Sequence, residues 1–168
     1  AKGIGISCSY FNPLKAVSLV IDNGVDTLTG IKVGIETGSL DTLDTFEKFY
    51  AAYLKQYGHV IDKFISAMYV LEKDVQEINP ALMFSATMPD CVSSMTDALD
   101  NGLDNSHGTL LCGLGTAVDA LMAVKELVYD KKAVTLAELK KALDNNWEGY
   151  EKLRAMALNL THKYGNGD

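Results

Sequence analysis

The feature that most constrains this chain is a stripe of apolar residues at Leu43, Phe46, Tyr50, Tyr53, Tyr57, Ile61, Phe64, Met68, Leu71, Val75 and Ile78, stopped by Asn79-Pro80. Spacings of three and four residues set them on one face of a helix, an alignment that the two-residue period of a strand would scatter. Thr42 or Asp44 can cap its start. The pattern predicts one helix of roughly 35 residues, about 50 Å long at 1.5 Å per residue. Such a helix needs either a core to lie against or a second helix. Its many aromatics fit knobs-into-holes packing poorly, which favours the core over a coiled-coil or oligomer seam.

The rest of the chain supplies that core. Of 168 residues, 48% are apolar and 22% charged, the make-up of one globular domain. Leu14 to Asn23, introduced by Asn12-Pro13 and closed by Gly24, reads as a mostly buried helix with a glycine C-cap. Residues 25–44 read as a turn-rich loop with a small hairpin around Ile31 to Ile35. Leu82 to Thr87, within a continuous apolar run between two prolines, has the pattern of a buried strand, and a helix from Asp90 to Asp100 follows. Thr109 to Gly113 is a second buried strand, after which Thr116 caps a helix running to Tyr129. Thr135 and Glu138 form a capping box that opens a helix to Asn145, and Glu148 to Leu160 is a further amphipathic helix. The order strand, helix, strand, helix implies parallel pairing through a right-handed crossover. The expected class is α/β and helix-dominated, with about two parallel strands and roughly five to six helices, and residues 1–168 as a single segment.

Charge narrows the function. Fifteen basic against 22 acidic side chains leave a net charge of -7, which offers no basic footprint for nucleic acid or an anionic membrane surface. No apolar run approaches the roughly 18 residues of a membrane helix. Ala1 to Gly5 lacks the charged start and long apolar run of a secretory signal, so the expected compartment is the cytoplasm. Cys8, Cys91 and Cys112, an odd number, fit free thiols.

Local motifs do not reach chemistry. His59, His107 and His162 are too dispersed for a metal site, and neither HExxH nor CxxC occurs. In the glycine-rich stretch Gly108 to Gly115, Val118 stands where the third glycine of a dinucleotide fingerprint belongs, and Leu114-Gly115 replaces the Lys-Ser/Thr of a P-loop. Its glycines read as room for tight strand-to-helix packing. The acidic run Asp97 to Asn105 carries Gly102 at the second ligand position of an EF-hand and reads as a helix end and turn. Asn159-Leu160-Thr161 matches a glycosylation sequon by chance.

Three stretches together carry a resemblance. The first is Tyr10-Phe11-Asn12-Pro13-Leu14-Lys15 with Asn23-Gly24-Val25-Asp26, Thr29-Gly30 and Gly34 to Gly38. The second is Phe46-Glu47-Lys48-Phe49 through Tyr53 and Gln56, then Asp90-Cys91. The third is Val118 to Lys125, Leu127-Val128-Tyr129-Asp130, Asn146 to Glu151 and Lys163-Tyr164-Gly165-Asn166. In order and spacing the chain resembles the glycyl radical enzymes, the group of pyruvate formate-lyase and its dehydratase, lyase and decarboxylase relatives.

The resemblance implies a place inside a ten-stranded barrel that shields a radical from water and oxygen. It also implies two loops, one with a catalytic cysteine in a GCVE-like motif and one with the radical-storing glycine in an RVSGY-like motif. Neither motif occurs among these residues, so the chain is expected to be an interior fragment, inactive alone. By the same resemblance this chain binds no cofactor itself. The parent would carry a glycyl radical installed by an S-adenosylmethionine iron-sulfur activase. Its partners would be the remainder of the barrel, that activase, and further copies in a homo-oligomer. The alternative is a stand-alone, non-catalytic helical module that binds or complements another subunit.

Substrate selectivity is expected near Ser7, Ser85 and Cys112. Ile6-Ser7 stands where many dehydratase-type members carry a His-Asp pair, the Asp contacting substrate hydroxyls. Ser85 and Cys112 are small residues that alternate positions of two barrel strands would turn toward the cavity. Small residues there would equally serve close packing. Asp104 to Gly108 stands where relatives carry Gly-Gly-Ala-Arg-Tyr-Asn, and both departures leave the substrate subclass open.

Overall fold

The computed structural model describes residues 3–102 and 104–167, with the backbone alone described at 3–9, 72, 101–102 and 104–108. In chain order its elements are strand β1 (Gly3–Phe11), helix α1 (Pro13–Ile21), the long helix α2 (Phe46–Ile78), short helices α3 (Leu82–Ser85) and α4 (Pro89–Ser94), strand β2 (Asp104–Leu111), and helices α5 (Leu114–Val124), α6 (Leu136–Asp144) and α7 (Glu151–Leu158). A 3-10 turn occupies Leu40–Thr42, and wider π turns occupy Ala98–Gly102 and Lys125–Asp130. The helix-dominated class with a parallel strand pair is the one the sequence predicts. Backbone contacts divide the chain into two units, residues 1–11 with 61–111 and residues 12–60 with 112–168.

In the first unit β1 and β2 pair in parallel. The register runs from Gly3 opposite Asp104 to Ser7 opposite Gly108, slips by one residue at Cys8, and resumes with Ser9 opposite Thr109. The expected partner strand at Leu82 to Thr87 is a helix instead. There the amides of Ser85 and Ala86 bond back to the carbonyls of Ala81 and Leu82 at 2.8 and 3.0 Å. A short, continuous apolar run has no periodicity to separate a strand from a helix, and here Leu82, Met83 and Phe84 are exposed. β2 starts at Asp104 rather than Thr109 and leaves Cys112 and Gly113 in the following turn. The helix expected from Asp90 to Asp100 breaks at Met95, which adopts a left-handed φ of 52°. A small core of Cys91, Ala98 and Met88 lies beneath α4 and the π turn.

The second unit holds the main core. Asn12 caps α1 by accepting the Leu14 amide at 3.0 Å, with Pro13 in the first turn where its missing N–H is not needed. Gly24 follows the helix at φ 87°, and a Cβ there would sit 2.5 Å from the Ile35 carbonyl oxygen, so the close approach needs glycine. The loop beyond forms one antiparallel bridge, Val25 with Lys32, in place of the hairpin expected at Ile31 to Ile35. Thr45 rather than Thr42 or Asp44 caps α2, its hydroxyl accepting the Lys48 amide at 3.3 Å. The first half of α2 turns Phe49, Ala52 and Tyr53 to the core against Val17, Val20, Leu136 and Leu139, so the buried face is shifted from the predicted stripe, of which Tyr53 is buried and Tyr50 is exposed. The Tyr129 hydroxyl donates to the Leu43 carbonyl at 2.8 Å, and burial, helped by the Asp44 charge, pushes its pKa up to about 12. Gly113, at φ 83°, caps α5 directly off the turn in place of Thr116. Thr135 and Glu138 form the predicted capping box of α6. α7 is shorter than expected at both ends.

Candidate functional site

The residues singled out from sequence fall on three kinds of backbone. Ser7 lies in β1 beside the register slip, and only its backbone is described. Ser85 is the last residue of α3 and is buried. Cys112 is exposed in the turn after β2. Neither Ser85 nor Cys112 belongs to a strand, so the alternation argument that turned them toward a cavity does not hold for either.

Ser85 is the centre of a hydrogen-bonded knot. Its Oγ accepts the Ala98 amide at 2.8 Å and lies 2.7 Å from the Ala81 carbonyl and 2.9 Å from Asp97 Oδ2, the two acceptors between which its single proton is placed. Asp97 Oδ1 accepts the Leu99 amide at 2.9 Å. Burial works against the Asp97 charge, but the Leu99 amide, the Ser85 hydroxyl and the Ala81 backbone outweigh it and hold the carboxyl below the usual carboxylate range. A carboxylate made less basic is poorly suited to activate a serine, so the pair ties α3 to the π turn rather than forming a nucleophile and base. Beside it Leu82, Ser85, Val92, Met95 and Asp97 line a cleft of about 210 Å³.

The second unit contains a comparable clamp that sequence reasoning named only as part of a motif. Gln56 is fully buried on α2. Its Oε1 accepts the Ile35 amide at 3.0 Å, and its Nε2 donates to the Ile35 carbonyl at 2.6 Å and to Leu19 at 3.3 Å. The loop after α1 is thereby fixed to the long helix. Asp119 on α5 likewise accepts the Tyr164 amide at 2.8 Å, and the Tyr164 ring lies over Gly115. Among the described residues no three His, Cys, Asp or Glu side chains gather as a metal site, and no helix is long and apolar enough to cross a membrane.

These two clamps use residues of the Gly-Ile-Glu-Thr-Gly, Gln56, Val-Asp-Ala-Leu and Lys-Tyr-Gly-Asn stretches, so the motif residues hold the fold at the points where chain segments meet. A model of the pyruvate formate lyase-like family matches residues 1–168. The chain belongs to that family. The pyruvate formate lyase-like chain is 35% identical over 160 residues to trans-4-hydroxy-L-proline dehydratase of Clostridioides difficile, covering 95% of this chain and 20% of that enzyme. It is 32% identical over 162 residues to (2S)-3-sulfopropanediol dehydratase of Klebsiella oxytoca, with the same coverage. The crystal structure of hydroxyproline dehydratase from C. difficile with trans-4-hydroxy-L-proline bound superposes with a TM-score of 0.89 at 34% identity, over 98% of this chain and 21% of that one. The glycerol-bound, B12-independent glycerol dehydratase of Clostridium butyricum superposes with a TM-score of 0.84 at 28% identity, over 94% and 20%. The pyruvate formate lyase-like chain therefore spans about one fifth of the length of the relatives it matches.

Proposed function

We propose that this chain is an interior fifth of a glycyl radical enzyme that removes a group, water foremost, from a small hydroxylated substrate by radical chemistry. The observation that carries the reading is the superposition on hydroxyproline dehydratase over nearly the whole chain. In this reading the two motif-bearing loops come from the remainder of the polypeptide. The glycyl radical, installed by an S-adenosylmethionine iron-sulfur activase, supplies hydrogen abstraction, and the present residues shape the shielding scaffold. Ser7, at the β1 slip, and Cys112, just past β2, are the proposed substrate-proximal positions. Ser85 belongs with them by sequence position, although its hydroxyl is engaged by Ala98 and Asp97. An anaerobic cytoplasm and assembly with further copies complete the proposal.

The test is anaerobic activation of the full-length protein, followed by electron paramagnetic resonance and turnover of trans-4-hydroxy-L-proline, glycerol and (2S)-3-sulfopropanediol. A glycyl doublet with elimination from one of these substrates is expected in the full-length protein, and no doublet from the 168 residues alone. A doublet from the 168 residues, or none from the full-length protein, overturns the reading.

A further inference from the structure

A continuous row of rings in the second unit is left unused by the proposed function. Spacings of three and four residues bring Tyr50, Tyr53 and Tyr57 to one side of α2, where their ring centroids follow one another at 5.9 and 5.8 Å. The row continues from Tyr50 to Phe46 at 6.0 Å and from Phe46 to Tyr129 at 6.1 Å. Rings at these separations are common in cores, and packing alone would explain phenyl groups. It does not explain the oxygens. The ring of Tyr53 is buried and that of Tyr50 is 41% exposed, yet neither hydroxyl makes a hydrogen bond among the described residues. Phenylalanine would fill the same space.

What phenol adds to phenyl is redox chemistry. A phenol gives up one electron together with its hydroxyl proton, and a vacancy so created passes readily to a second phenol a few ångströms away. Tyr57, Tyr53 and Tyr50 are three such rings in succession. Burial, followed by the charges that Tyr57 and Tyr50 would carry, raises the Tyr53 pKa, so the three phenols stand within electrostatic reach of one another. Beyond Tyr50 the way closes. Phe46 has no oxidisable oxygen, and the Tyr129 hydroxyl is committed to the Leu43 carbonyl, a base too weak to take its proton.

We infer that Tyr57, Tyr53 and Tyr50 form a relay that carries one oxidising equivalent past the buried ring of Tyr53 to the exposed ring of Tyr50. Its source, by chemical class, is a peroxyl radical, formed where oxygen adds to a carbon-centred radical. The peroxyl radical takes the hydrogen atom of the Tyr57 hydroxyl, becoming a hydroperoxide and leaving a phenoxyl radical. Tyr53 then restores Tyr57 with one electron and one proton, and Tyr50 restores Tyr53 in the same way. At the surface a thiol in solution gives its hydrogen atom to Tyr50, and two of the resulting thiyl radicals join as a disulfide. This use rests on the proposal that the chain is part of a radical enzyme, whereas the conduction does not.

The test uses the full-length protein before activation. A Cβ at Gly58, next to Tyr57, would meet no neighbouring atom within 4 Å, so a side chain has room there. A ruthenium tris(bipyridine) complex attached through Gly58→azidophenylalanine, and oxidised by a light flash with a soluble electron acceptor, injects the equivalent beside Tyr57. With a nitroso spin trap present, mass spectrometry is expected to find adducts on Tyr50. Tyr53→Phe is expected to lower them at least ten-fold and to leave adducts on Tyr57. Tyr50 adducts unchanged by Tyr53→Phe overturn the inference, as does their absence with Tyr53 in place. Adducts on Trp147, which packs on the same core, in place of Tyr50 overturn it too. If Tyr53→Phe does not fold, Tyr57→Phe, which alters a half-buried ring, decides by the same loss at Tyr50. A glycyl doublet after activation without Tyr50 adducts would sink the relay alone. Tyr50 adducts in a protein that gives no doublet would sink the proposed function and leave the conduction standing.

Discussion

At Ser85 a single oxygen gathers a backbone amide, a carboxylate and a carbonyl, and its removal exposes how the first unit holds its turn. Ser85→Ala removes the hydroxyl that accepts the buried Ala98 amide and bonds Asp97, and is expected to lower stability by about 1–3 kcal/mol in a denaturant titration. An unchanged midpoint would show that water replaces the hydroxyl. Asp97 adds a pH signature. Its folded pKa lies below the ordinary value of 3.8, so its stabilisation is present above that value and is lost as pH falls through the lower, folded pKa. Asp97→Asn should flatten that acid limb. At Ser7 the expectation concerns selectivity. In the activated full-length enzyme Ser7→Asp should change the ratio of kcat/KM between a hydroxylated and a non-hydroxylated substrate by one or two powers of ten, about 1–3 kcal/mol for one buried polar contact. An equal effect on both substrates would make the segment scaffold.

Among the elements, legibility followed periodicity and capping. The long helix α2 and the Thr135 box of α6 were readable because each repeats or reciprocates a local rule, although the face of α2 that meets the core carries Phe49 and Ala52 and leaves Tyr50 of the predicted stripe exposed. The strand read at Leu82 to Thr87 failed because an unbroken apolar run is silent about its period, and the local carbonyls of Ala81 and Leu82 were nearer than any strand. The true partner is the stretch Gly3-Ile4-Gly5-Ile6-Ser7-Cys8-Ser9-Tyr10, whose alternation of small and larger residues is a strand pattern. The polar run Asp104 to Gly108 hid the start of β2, since backbone pairing does not require apolar side chains. The Gln56 clamp could not be read at all, because it joins residues far apart in sequence. Gly24, which packs on the Ile35 that Gln56 holds, gives the element-scale prediction. Gly24→Ala adds a Cβ against the Ile35 carbonyl at a positive φ, and should cost at least about 1–2 kcal/mol and loosen the loop, read as faster amide exchange at Val33 and Gly34. Exchange as slow as in the unaltered protein would show that the loop accommodates the methyl.

For the whole molecule, the parallel pairing of β1 with β2 sets an order of events. The strands are separated in sequence by residues 12–103, so pairing must wait until all of that chain has been made and brought round. Local helices such as α1 and α6 form on far shorter timescales than so distant a closure. In refolding experiments on the full-length protein, amides of α1 and α6 should gain protection before those of Tyr10 and Leu110, and simultaneous protection would rule out late closure. During synthesis β1 leaves the ribosome long before its partner and travels with unpaired backbone edges, exposed to association with other chains. A single pair of strands thus makes the speed of translation, and whatever holds the nascent chain meanwhile, part of how much functional protein a cell obtains.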